Sequence, residues 1–272
     1  TPLAKHKSGS PAPIDAKIGQ GMQPGAINNS MTNIPGLYAF GEVNFAYHGA
    51  NRLGANALLS CIFEGLFCGV SVLNFIKNEA PGKNPASGLA SGAFDAAVNQ
   101  ETAKMKRLLD GAKPGTTDAS TNPYHIGKEL GDEMTAACTV VRTEPRLKQC
   151  LTKLAELKDR YSKLRLSDSA SWTNQSFGYA RSVGDMLALA EAVALGALHR
   201  KESRGAHYRS DYTQRDDANF MKTTLARHSE GSTTVEFVPI DESLILATAR
   251  TYGKKDSSPK PKTEPALAAA GS

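Results

Sequence analysis

Between Gly41 and Leu58 the chain gathers a carboxylate, an imidazole, a guanidinium and the start of an apolar segment. Glu42 follows a Gly at the end of the apolar run Ile34–Phe40. From there a carboxylate can accept hydrogen bonds from sugar or polyol hydroxyls. Arg52 lies between Gly49 and Gly54, where small residues let backbone approach a ligand. Its guanidinium can hold a carboxylate or phosphate through two parallel hydrogen bonds. Asn56, Ala57 and Leu58 open a segment that reads as a helix, and the first turn of a helix favours negative charge. His48 can polarise a substrate or bond to loop backbone. Each group also has a plainer reading: an exposed Glu at a strand end, an Arg paired with Glu42 or Glu64, a capped helix resting on a sheet.

Positioning these groups requires particular elements. Ile34–Phe40 reads as a short buried strand, Val43–Ala55 as a polar loop, and Asn56 to about Phe75 as a helix of several turns. Strand, carboxylate, loop and helix in that order would stand at the carboxyl end of a strand, where ligands bind in open α/β folds. Residues 1–30, rich in Gly, Pro, Ser and Asn, read as loop or ragged terminus, and Pro81–Pro85 reads as a boundary closing the piece 31–80.

A helical period then takes over for residues 90–200. Phe94, Val98, Met105, Leu108 and Leu109 fall largely on one face, ending at Asp110-Gly111. Asn122-Pro123 and Glu144-Pro145 start two more helices, with apolar stripes at threes and fours. A fourth helix runs from about Gln175 to Glu202, with Val183, Met186, Leu187, Ala190, Val193 and Ala194 inward. Four helices on short links predict an antiparallel bundle. Residues 201–252 combine a charge-dense segment, Arg200 to Asp217, with a hairpin of Phe220–Ala226 and Thr234–Val238 about Gly231-Ser232. The composition of Lys254–Ser272 predicts disorder.

The 272 residues suffice for one or two domains, with 40% hydrophobic and 22% charged residues, as in ordinary globular proteins. The net charge of +5 is spread among 27 acidic residues, and no block of like charge points to nucleic acid. The longest apolar run, Ala57 to Phe75, is broken by Ser60, Glu64, Gly65 and Gly69, which argues against a membrane span. Cys61, Cys68, Cys138 and Cys150 form no CxxC pair and no metal spacing, so they read as small core residues in a reducing compartment. The chain opens at Thr1 with no initiator Met and no signal-peptide pattern, and is expected to begin inside a longer protein.

Two long motifs carry a resemblance. The first is Ile34 to Glu42, IPGLYAFGE, with His48 to Leu59, HGANRLGANALL; the second is Arg200 to His207, RKESRGAH, with Asp211-Tyr212 and Arg215-Asp216-Asp217 after it. In that order they closely resemble the flavoprotein subunit of succinate dehydrogenase and fumarate reductase, over about residues 30–252. The resemblance implies an α/β plus all-α fold: part of an FAD-binding, Rossmann-like domain, then the helical bundle and the small hairpin.

It further implies that Glu42 contacts the sugar-alcohol side of the flavin, that backbone at Ala57 and Leu58 meets the flavin ring, and that Arg52 clamps a dicarboxylate. Implied partners are an iron–sulfur subunit and, through it, a membrane anchor and quinone, on the cytoplasmic side of a bacterial inner membrane. L-aspartate oxidase has a similar loop, and a non-catalytic assembly module is the alternative of another class. No GxGxxG follows a strand, and no residue matches the family's flavin-attachment His, catalytic Arg or His-x-x-Gly-Gly motif. The resemblance therefore implies the C-terminal portion of such a subunit, by truncation or as a piece of a split protein, with neither tight FAD binding nor succinate oxidation on its own.

Overall fold

Among the described residues, caps, prolines and apolar periodicity set out six helices and two strand pairs. The structure, a computed structural model, describes residues 4–5, 11–12, 24–32, 34–44, 48–51, 54–78, 90, 92–110, 121–170, 172–229 and 231–240. Within the stretch expected to be loop, β1 (Ala4–Lys5) pairs antiparallel with β2 (Pro11–Ala12). The helices are α1 (Asn56–Asn78), α2 (Asp95–Leu109), α3 (Pro123–Cys138), α4 (Glu144–Ser162), α5 (Gln175–His199) and the single turn α6 (Asp217–Phe220). An antiparallel hairpin follows, β3 (Lys222–Ser229) with β4 (Ser232–Pro239), in register from Lys222↔Pro239 to Ser229↔Ser232.

The core lies among α3, α4 and α5, which pack on one another. Their starts follow from sequence. The Asn122, Thr143 and Asn174 side chains accept from the N–H groups of Tyr124, Arg146 and Phe177, and Pro stands in the first turn of α3 and of α4. Ile126 and Leu130 of α3, Leu147, Leu154 and Leu157 of α4, and Val183 and Leu187 of α5 are buried at their shared seam. Bidentate pairs Arg146–Glu133 and Arg160–Glu129 tie α3 to α4. The hairpin rests against α5.

The expected four-helix bundle is a three-helix core with α2 docked mainly by its last turn. Of α2, Leu108 is buried, while Phe94, Val98 and Met105 are exposed. The attachment is sparse: Leu166 N–H donates to the Leu108 carbonyl, Arg107 donates to the carbonyls of Tyr161 and Ser162, and Glu101 pairs with Arg181 of α5 at 2.8 Å. A helical stripe specifies a face, but not whether a neighbour covers it. Met186 and Val193, expected inward on α5, are likewise exposed.

The strand expected at Ile34–Phe40 is a correction. Ile34, Leu37 and Phe40 are exposed, the Leu37 N–H closes a turn on the Ile34 carbonyl, and one bridge joins Met31 to Tyr38. Pro35 supplies no N–H and Gly36 has φ +85°, so the apolar run bends instead of pairing. No strand of a Rossmann-type sheet appears among the described residues, which are mostly helical.

α1 is built inside out. It buries Glu64, Cys68 and Ser71, while Leu58, Leu59, Ile62, Phe63, Leu66, Val70, Leu73 and Ile76 are exposed. By length and mean hydropathy both α1 and α5 are apolar enough to cross a membrane, despite the interruptions in α1. In α5, Ala180, Val183, Leu187, Ala190 and Ala194 of that surface line the bundle core.

Candidate functional site

The polar stripe of α1 holds the segment that carries Glu42. Glu64, wholly buried, accepts from Gly41 N–H at 2.6 Å and Asn44 Nδ2 at 2.6 Å, and from Ser30 Oγ at 3.2 Å. Further along the helix, Ser71 Oγ accepts from Asn29, and Asn74 donates to the Gly25 carbonyl. Successive turns of one helix face thus secure residues 25–44. Gly41 has φ +70°, and a Cβ there would lie 2.8 Å from Cys61 Sγ, so glycine is required where the chain turns into the 3-10 turn Gly41–Val43. Glu42 sits in that turn; its side chain lies outside the described residues. Sequence reasoning gave Glu64 only the part of a helix interruption or an Arg partner. Its position four residues before Cys68 and seven before Ser71 was the available signal of a polar buried stripe.

The loop into α1 is fixed at two described points. His48 Nε2 is 3.2 Å from Ser60 Oγ, which itself donates to the Ala57 carbonyl, so the imidazole is the donor of that pair. Asn51 N–H closes a turn on the His48 carbonyl. After the loop, Ala55 takes φ +64° and Asn56 N–H bonds the Gly54 carbonyl, a tight entry to the helix. Ala57 is half-buried, and Leu58, exposed at 74%, stands in the first turn, where N–H groups lack acceptors within the helix. Arg52 lies outside the described residues. The described part therefore brings together the Glu42 turn, His48 and the α1 start, on one helix anchored by Glu64 and Ser60.

The charged segment Arg200–Asp217 is an internal lattice of ion pairs. Arg209, wholly buried, donates to the carbonyls of Ala197, Leu198 and Arg200 at the end of α5, and makes a bidentate pair with Asp211 at 2.8 Å. Asp211 also accepts the Glu144 N–H at the start of α4. A cation thus caps one helix C-terminus and an anion caps one N-terminus, as both dipoles favour. The Arg209 guanidinium holds the Asp211 carboxyl down to about 2, against the effect of burial. Glu202, buried, accepts from Arg200, Arg204 and the Asp216 N–H; burial would push its carboxyl up, but these donors hold it below the usual range. The lattice is buried at its centre, where the Glu202 and Arg209 side chains have no exposed surface, and open at its edge, where Asp217 is 46% exposed.

The two sequence motifs meet. Ala206 N–H donates to the Ala50 carbonyl at 3.0 Å, joining the turn 204–207 to the loop that precedes α1.

A protein-family profile described as "Fumarate reductase flavoprotein C-term" matches residues 127–252. The succinate dehydrogenase flavoprotein subunit of Bacillus subtilis (strain 168) is 40% identical over 229 residues, covering 84% of this chain and 38% of that protein. The fumarate reductase flavoprotein subunit of Escherichia coli (strain K12) is 34% identical over 229 residues, covering 83% of this chain and 36% of that one. Among solved structures, a variant of the E. coli quinol fumarate reductase superposes with a TM-score of 0.70 at 32% identity, over 83% of this chain and 37% of its own. The chain therefore spans under two-fifths of the length of these relatives.

Proposed function

The chain belongs to the succinate dehydrogenase/fumarate reductase flavoprotein family, as a C-terminal region of it, and we propose that it supplies one wall of a flavin and dicarboxylate site. In this reading the whole flavoprotein interconverts succinate and fumarate and passes electrons to an iron–sulfur subunit, then through a membrane anchor to quinone. The assembly lies peripherally on the cytoplasmic side of a bacterial inner membrane. Bound FAD supplies the hydride acceptor. Glu42 binds its sugar-alcohol side, and backbone at Ala57 and Leu58 meets its ring. The N-terminal end of α1 favours negative charge at that place. Arg52 binds one carboxylate of the substrate through two hydrogen bonds and so orients its C–C bond. The proton-transfer Arg and the pyrophosphate site belong to a part of the family's chain that these residues do not include.

The observation that carries the reading is the paired anchoring of the Glu42 turn and the loop into α1 on a single helix, through Glu64 and Ser60. These residues fit one half of a flavin site: a turn requiring glycine, beside a helix start with an exposed first turn. The apolar face of α1, which no described residue covers, supports a further body of protein completing the other half.

An exchange experiment tests this. The chain replaces the matching region of the B. subtilis flavoprotein, expressed with that enzyme's partner subunits. The chimera is expected to retain flavin and reduce dye with succinate. Arg52→Ala is expected to lower kcat/KM roughly a hundredfold, the scale of losing a charged bidentate pair. A flavin-loaded chimera indifferent to Arg52→Ala would end the dicarboxylate reading. A complex that assembles without flavin would instead favour an assembly module.

A further inference from the structure

Ion pairing explains why residues 200–217 hold together, but not why one of their turns reaches back to the loop before α1. At Gly205 the backbone has φ +58°, and a Cβ would lie 2.4 Å from the Ala50 carbonyl oxygen and 2.7 Å from its carbon. A glycine is thus the residue that lets Ala206 donate to Ala50. The turn itself is closed on both sides, Arg204 N–H to the His207 carbonyl and His207 N–H to the Arg204 carbonyl. Behind it stands Arg142, whose Nη1 donates to the Ala206 carbonyl at 3.0 Å and lies 3.5 Å from His207 Nδ1. His207 Nε2 is 3.0 Å from the Arg200 carbonyl, to which it must donate. Nδ1 is then the acceptor facing Arg142, so one neutral tautomer serves both contacts. Burial, with the Arg142, Arg209 and Arg200 guanidiniums nearby, keeps that imidazole below its usual pKa.

Arg142 itself is costly. Its Nε is buried without a hydrogen-bond partner, and it makes no ion pair with a carboxylate among the described residues. A guanidinium held that way is a poor device for stability, which calls for another account of what it holds.

We propose that the turn Arg204–His207 is a clamp on the loop before α1, with Gly205, His207 and Arg142 as positioning residues for Arg52, two residues beyond Ala50. This rests on the reading of Arg52 given above. Held at Ala50 by the clamp and at His48 by Ser60, the loop enters its ligand-binding segment from a fixed backbone. The ordering is then made on folding and not at each binding event.

The test needs neither flavin nor substrate. In the full chain, tryptic cleavage of the Arg52–Leu53 bond is followed by mass spectrometry, beside hydrogen exchange at the Ala206 amide. Gly205→Ala is expected to speed cleavage and exchange about tenfold, the scale of one lost hydrogen bond. His207→Gln keeps a donor toward Arg200 and an acceptor toward Arg142, and is expected to stay within about twofold of the parent, whereas His207→Leu matches Gly205→Ala. Parent-like cleavage in both Gly205→Ala and His207→Leu, or equal loss in His207→Gln and His207→Leu, overturns the clamp. Should Gly205→Ala fail to fold, the His207 pair decides. In the flavin-loaded chimera, His207→Leu is expected to raise KM for succinate more than it lowers kcat. If proteolysis moves while KM does not, the clamp stands and the dicarboxylate reading fails.

Discussion

Two helices of this chain, α1 and α5, are alike in length and apolarity, yet one exposes what the other buries. α5 lays Ala180, Val183, Leu187 and Ala194 against α3 and α4, and its C-terminal carbonyls are capped by buried Arg209. α1 turns Glu64, Cys68 and Ser71 inward, onto residues 25–44, and leaves eight large apolar side chains in the open. The bundle thus has an apolar core of its own, though α5 still exposes Met186, Leu189 and Val193, whereas the α1 corner is joined by hydrogen bonds and buries little apolar surface. Hydrogen bonds fix geometry locally, but the burial that would stabilise the corner awaits another surface.

If that contrast holds, the largest effect comes from breaking the cap that closes the bundle. Arg209→Ala strips the Ala197 and Leu198 carbonyls of this donor and Asp211 of its cation, at a wholly buried position. The expected loss is about 3–5 kcal/mol, read as a lower urea midpoint of the bundle transition. A loss near zero would mean the segment 200–217 is not what closes the bundle end.

A second pair of substitutions sharpens the comparison between helices. Leu147→Ala, at 0% exposure in α4, is expected to cost about 2–5 kcal/mol. Leu66→Ala, at 75% exposure in α1, is expected to change the stability of the isolated chain by less than about 0.5 kcal/mol. Equal losses would show that α1 already has its cover in this chain. In the chimera of the exchange experiment, the same Leu66→Ala is expected to become destabilising.

What could be read from the sequence follows the same division. The cap at Asn122, the helix start at Glu144-Pro145 and the hairpin about Gly231 depend on neighbours close in sequence, and they are where the residues said they would be. Ile34–Phe40 misled because an apolar run looks alike whether it pairs in a sheet or bends at a Pro-Gly, and pairing is decided elsewhere in the chain. α2 misled because its stripe names a face without naming a cover. At the candidate site, residue types pointed to Glu42, Arg52 and the α1 start. The spacing of Glu64 to Cys68 and Ser71 marked a polar stripe, but its bond to Gly41 and the contact of Ala206 with Ala50 lay beyond reach, since both join residues distant in sequence. Charge density at 200–217 marked the segment but not its arrangement, because composition counts charges and does not record that they face one another.

The smallest expected effect isolates one member of that lattice. The Arg209 pair depresses Asp211 from the ordinary carboxylate value to about 2. A carboxylate with a depressed folded pKa contributes stability that is present above its unfolded pKa, near 4, and is lost as pH falls through about 2. Its side chain is 28% exposed, so solvent screening reduces the contribution to about 1 kcal/mol. Glu129, also held at about 2 by Arg160 and Lys153, loses stability over the same range, so the parent profile alone does not separate them. Asp211→Asn does: it keeps an oxygen to accept the Glu144 N–H while removing the charge. Urea midpoints of the variant are expected to lie below those of the parent at neutral pH and to converge with them as the pH approaches 2. Parallel profiles, with the gap unchanged down to that pH, would mean that Asp211 acts as a neutral cap on α4 and that the charge pairing with Arg209 contributes nothing to closing the bundle.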